Sequence, residues 1–162
     1  MATCKKGPEM KYRVLTGALL TTLALAPLAL AQVPGGAGAG YIPRLGDIMG
    51  ATQLRHFKLS FAGKAQNWEL AAYELGQIRD SFQDAATLYP GIPITDMSIV
   101  ADPLRQLSDA IDVKNGPKFD TAFAALTDAC NACHRAIDRG FITIQVPTSS
   151  PFSNQSFAPP AK

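Results

Sequence analysis

Five consecutive residues, Cys130-Asn131-Ala132-Cys133-His134, are of types and spacing that point to one chemistry. On a helix, steps of three and four residues place both sulfurs and the imidazole on one flank. Two thiols so placed can add to the two vinyl groups of a haem while His134 reaches the iron from the proximal side, which is the c-type haem attachment pattern. With this chain's composition, such a pattern arises by chance in fewer than about one chain in a thousand. Cys4 is the only other cysteine.

Other uses of the pair fit less well. A disulfide between Cys130 and Cys133 would sit awkwardly inside a helix and close a loop too small to stabilise much. A thioredoxin-type pair wants a strand-to-helix setting, and no such pattern precedes Asp128. A zinc site needs further ligands, and His56 is the only other histidine.

The elements that must position this motif begin with a removable segment. Residues 5–13 are basic and residues 14–28 are apolar apart from Thr and Gly, ending in Ala29-Leu30-Ala31. This reads as a secretory signal over residues 1–31, cut before Gln32, with Met10 as an alternative start. An uncleaved membrane anchor is the competing reading; Pro27 and the small residues favour cleavage. A soluble periplasmic protein follows, with no stable membrane insertion after cleavage, and haem attachment to an exported chain agrees with that compartment. Removing Lys5, Lys6, Lys11, Arg13 and Glu9 turns 15 bases and 13 acids into 11 and 12. The sequence pI of about 8.5 thus belongs to the precursor. Scattered, nearly balanced charge excludes nucleic acid as a partner, because phosphate binding needs a concentrated basic face.

Residues 32–43 read as a flexible Gly-rich leader and residues 141–162 as a C-terminal extension ending in a flexible Pro/Ser/Asn tail. Between them, residues 44–140 form the haem-binding domain. The periodicity predicts helices over roughly 45–62, 67–88, 95–113 and 117–139. The first places Leu45, Met49, Thr52, Gln53, His56, Leu59 and Ser60 on one side. The second repeats Trp68, Ala71, Leu75, Ile78, Phe82 and Ala85; the third Met97, Val100, Leu104, Leu107 and Ile111; the fourth Phe119, Ala122, Leu126, Cys130, Cys133 and Ile137. Thr95 or Asp96 starts the third helix, and Pro103 either kinks it or opens a helix capped by Asp102. Gly63, Gly91, Gly116 and Gly140 are read as helix stops. The fold class is all-α, an antiparallel four-helix bundle with covalent haem on the last helix.

A four-helix chain with a single Cys-x-x-Cys-His on its last helix resembles the class II cytochromes c, the cytochrome c′ group and its low-spin relatives, over residues 44–140. The resemblance implies one covalent haem c on Cys130 and Cys133, His134 as the fifth iron ligand, and a distal haem face covered by the first helix. On that helix Met49 and His56 share a face about two turns apart, so at most one ligates the iron. Gly46 and Gly50 beside Met49 favour it as the sixth ligand, as in the low-spin relatives; Met49 as core filler is the competing reading. His56 is kept as a further haem-contacting candidate, through a neighbour or a propionate. Trp68, Phe82 and Phe123 are expected in the core against the porphyrin, Gly76 at a close approach, and Arg135 and Arg139 near the propionates or simply at a solvated helix end.

The leading function is electron transfer to redox partner proteins by one-electron Fe(III)/Fe(II) cycling, a carrier and not an enzyme, since nothing else in the chain suggests nucleophile, base and orienting group together. The alternative is a five-coordinate, cytochrome c′-like protein that binds or senses diatomic gases such as NO or CO. A third reading is a subunit whose haem serves another protein. The resemblance further implies a homodimer through the first two helices, for which Phe57 or Phe61 would offer apolar surface; cover of those residues by the C-terminal extension is the competing reading.

Overall fold

The computed structural model describes residues 41–92 and 98–161. The segment read as a secretory signal, most of that read as a leader, and Thr95, Asp96 and Met97 lie outside the described residues. Four helices follow one another: α1 (Leu45–Lys64), α2 (Trp68–Leu88), α3 (Ser98–Asp112) and α4 (Gly116–Ala136). α1 packs chiefly on α2 and α3 on α4, while α2–α3 and α1–α4 contacts close the ring. The connections at 65–67 and 113–115 are too short for anything but antiparallel neighbours. No described helix is long and apolar enough to cross a membrane.

The two short connections are built alike. Gln66 (φ 57°) and Lys114 (φ 54°) take the left-handed conformation. Around them the Gln66 and Lys114 N–H groups donate to Gly63 and Ile111, and the Asn67 and Asn115 N–H groups to Ala62 and Ala110. This is the Schellman pattern, which satisfies carbonyls that a helix end would leave orphaned. Each asparagine then caps the next helix: Asn67 Oδ1 accepts from Leu70 N–H at 3.2 Å and Asn115 Oδ1 from Lys118 N–H at 2.9 Å. The expected glycine stops are therefore corrected, and after α4, which ends at Ala136, it is again a non-glycine residue, Asp138, that takes the left-handed position in place of Gly140. Gly63 lies inside α1 and Gly116 opens α4, with Pro117 in its first turn. Pro103 lies inside α3, removing one hydrogen bond near its exposed start, and Asp102 pairs with Arg105 at 3.1 Å rather than capping a helix there.

The core follows the predicted faces of α2, α3 and α4: Leu75, Ile78, Phe82, Val100, Leu104, Leu107, Ile111, Phe119, Phe123 and Leu126 are all buried. On α1 the buried face is mixed, with Ile48 and Leu59 beside Thr52, His56, Ser60 and Gly63. Gly63 is required where it stands, because a Cβ there would collide with the Phe119 ring. Gly76, expected at a close approach, faces open space. Glu74, buried in α2, meets Arg55 of α1 at 3.2 Å, and Arg55 also lies over the Tyr73 ring. A buried carboxylate needs such a partner, so this pair registers α1 against α2.

The C-terminal extension departs from the expected flexible tail. Residues 141–161 return along the bundle, tied by Lys64 Nζ to the Pro147 carbonyl and by Asn67 Nδ2 to the Ala158 carbonyl. Phe157 packs on the core and meets the rings of Phe61 and Phe152. A segment rich in Pro, Ser and Asn is held because these aromatic rings bury apolar surface that the polar residues lack. The extension thus covers Phe61, one of the two residues offered as dimerisation surface.

Candidate functional site

The C-terminal half of α4 carries Cys130, Cys133 and His134 along one flank, and all three line a cavity of about 320 Å³. Leu45, Gly46, Met49, Gly50, Thr52, Gln53 and His56 of α1 form the facing wall. Phe82, Ile92 and Val100 close one side, and Arg139, Ile142 and Ile144 of the extension close another. The volume lies within the ~300–1,000 Å³ typical of cofactor and ligand pockets, and the lining is mostly apolar with few polar groups.

Cys130 and Cys133 are not joined in a disulfide. Burial pushes the Cys130 thiol up to about 11, with the neighbouring Cys133 adding to the effect, and burial raises Cys133 as well. Thiols held neutral by burial inside a helix do not suit a thioredoxin-type nucleophile, which needs a stabilised thiolate. Among the described residues, no group of three or more His, Cys, Asp or Glu side chains converges as a metal site. The two sulfurs and the imidazole are strung along a wall, as attachment to an extended ligand requires.

His134 is half-buried, and its Nδ1 stands 2.8 Å from the Ile142 carbonyl oxygen. A carbonyl only accepts, so Nδ1 carries a hydrogen, and in the neutral ring Nε2 then holds the lone pair. A ligating histidine commonly has this arrangement, with its second nitrogen donating to an acceptor that fixes tautomer and orientation. The acceptor is missing from the expected site because it belongs to the backbone of the extension; composition gives no signal for it.

Opposite, Met49 is half-buried and touches both apolar clusters of the domain. A Cβ added at Gly46 or Gly50 would meet nothing within 4 Å, so the α1 backbone is open to a flat group on either side of Met49. His56 also lines the cavity but is engaged. Its Nε2 lies 2.9 Å from Thr127 Oγ1, and its ring sits 4.4 Å from the Phe123 ring. The Thr127 hydroxyl donates its single hydrogen to the Phe123 carbonyl at 2.9 Å, so His56 Nε2–H is the donor to Thr127. Of the other expected contacts, Phe82 and Arg139 reach the cavity. Trp68 and Phe123 instead belong to an aromatic row with Phe119, and Arg135 is exposed away from the lining.

Desolvation lowers His56 to about 4, against an ordinary value of 6.5. Between those values the unfolded chain binds the proton and the folded chain does not, so stability falls as pH drops from about 6.5 towards 4. The loss is on the order of 3 kcal/mol. Denaturant midpoints measured across about pH 7 to 4.5 should fall more steeply for the native chain than for His56→Gln, which keeps a donor for Thr127. Equal slopes would contradict this assignment.

Compared with known proteins, the chain matches no family model, no curated protein and no solved structure.

Proposed function

We propose that this chain is an exported, periplasmic monohaem c-type cytochrome of the class II kind, an electron carrier for partner redox proteins. The observation that carries the reading is the meeting of Cys130, Cys133, His134 and Met49 on one cavity, with His134 Nε2 left as a lone pair. The residues present fit haem c. The two thiols would hold it as thioethers, His134 would ligate through Nε2, and Gly46 and Gly50 leave room beside the α1 backbone. The mostly apolar lining suits a porphyrin ring, and Arg139 at the wall would offer a charge for a propionate. When bound, the haem supplies the one-electron Fe(III)/Fe(II) couple; the protein tunes it through ligand identity, hydrogen bonding and burial.

Met49 is favoured over His56 as the sixth ligand because Gly46 and Gly50 leave the backbone beside it open to a flat group, whereas His56 is buried against Phe123 with Nε2–H committed to Thr127, so that ligation would have to come from Nδ1 of a ring held in the packing. The test is the absorption spectrum of the oxidised and reduced protein. Low-spin bands with a sulfur-to-iron charge-transfer feature are expected. High-spin bands in both states would overturn methionine ligation and favour the five-coordinate, gas-binding alternative.

A further inference from the structure

The extension does more than cover the bundle, because it reaches His134 through Asn131, which stands between the two cysteines. Asn131 precedes His134 by three residues and so lies on the same side of α4. Its side-chain amide meets both backbone groups of Ile144: Nδ2–H donates to the Ile144 carbonyl at 2.9 Å, and Oδ1 accepts the Ile144 N–H at 2.8 Å. Because the Ile144 N–H can only donate, the orientation of the amide is determined. The side chain thereby pairs with residue 144 as a neighbouring strand would, and fixes the chain two residues beyond Ile142.

Upstream, the same stretch is tied to the end of α4. Asp138 takes φ 57°, the Arg139 N–H donates to the His134 carbonyl at 2.7 Å, and the Ile142 N–H donates to the Arg139 carbonyl at 2.8 Å. The Ile142 carbonyl is consequently held between a backbone turn and the Asn131 amide, and it accepts from His134 Nδ1 at 2.8 Å. The next tether, Lys64 to the Pro147 carbonyl, lies further along and touches neither Ile142 nor Ile144.

We propose that Asn131 is a positioning residue: its amide clamps residues 141–146 so that the Ile142 carbonyl holds His134 in the Nδ1–H form and sets how strongly Nε2 donates to the iron. The part concerning iron rests on the cytochrome reading; the part concerning the tautomer does not. Hydrogen bonding at Nδ1 raises the basicity of the imidazole and favours the oxidised metal, so loosening the clamp raises the reduction potential.

The test uses the full-length exported chain with 15N-labelled histidine, reading exchange of the His134 Nδ1 proton by NMR and, in parallel, the midpoint potential. In Asn131→Ala the ring proton should exchange at least about tenfold faster, because its acceptor opens locally. The potential should shift upward while haem remains attached. Lys64→Ala, which frees only Pro147, should match the native protein in both readouts. Asn131→Asp retains the acceptor for Ile144 N–H but sets an anionic oxygen against its carbonyl; it should move in the same direction as the alanine variant, and it decides the matter if that variant does not fold. Unchanged exchange and potential on loss of the amide would overturn the clamp. So would equal shifts in Lys64→Ala, which would indicate general loosening of the extension. A chain that carries no haem would remove the cytochrome reading, while proton exchange would still decide the clamp.

Discussion

On the proposed cytochrome reading, Met49→Ala should convert a low-spin iron to a high-spin one and open it to carbon monoxide, whereas His56→Ala should leave the spin state as it was. The expectation follows from the two walls of the cavity. His134 faces it from α4 with a free Nε2, and Met49 faces it from α1 between two glycines that present no side chain. A thioether opposite an imidazole raises the potential of the haem relative to two imidazoles, which suits a carrier. His56 has its donor on Thr127 and its ring against Phe123, so its loss is felt in the fold rather than at the iron. Carbon monoxide difference spectra of both variants make the comparison. The reverse pattern would transfer the sixth position to His56. A native protein that is already high-spin would leave the distal side open and favour gas binding.

The second large effect is mechanical. Phe119→Ala should destabilise the domain by about 4 kcal/mol, the usual scale for emptying a buried phenylalanine site. Phe119 is 1% exposed and lies between Trp68 and Phe123, with ring centroids 6.1 and 5.9 Å away. Its ring also occupies the space where a Gly63 side chain would be. Gly63→Ala alone should therefore cost about 2 kcal/mol, since overpacking outweighs the ~1 kcal/mol that alanine gains over glycine inside a helix. Once Phe119 is alanine the collision is gone, and adding Gly63→Ala should stabilise instead of destabilise. Urea unfolding of the two single variants and the double variant measures the coupling. Simple additivity would contradict the packing described here.

Much of the bundle was legible because its determinants are local. Leu75, Ile78, Phe82 and Ala85 recur at helical steps and are buried together, and the same holds for Val100, Leu104, Leu107 and Ile111. α1 is less legible, since its inward face includes Thr52, His56 and Ser60; Thr52 Oγ1 donates to the Ile48 carbonyl and His56 Nε2–H to Thr127. Ile48, which is buried, lay outside the predicted face. Glu74 reads as an ordinary surface acid until Arg55, nineteen positions earlier, is brought beside it. The turns carry no glycine signal, because Gln66 and Lys114 occupy the left-handed positions that glycine usually takes.

The site divides in the same way. Cys130, Cys133 and His134 are adjacent in sequence, and helical geometry alone puts them on one flank. That Met49 faces them across a cavity was an expectation from the resemblance, and the packing of α1 against α4 brings it there. The Ile142 carbonyl and the Asn131 clamp were not foreseen, because backbone acceptors have no residue-type signature and a side-chain amide gives no sign of which segment it will pair with.

The most direct test of the account is the intact mass of the exported chain, taken under denaturing conditions after expression with c-type haem maturation. The expected mass is that of residues 32–162 plus one haem, with the haem lost when both Cys130 and Cys133 are replaced by serine. A chain of bare polypeptide mass, obtained under conditions in which other c-type cytochromes mature, would contradict the central claim.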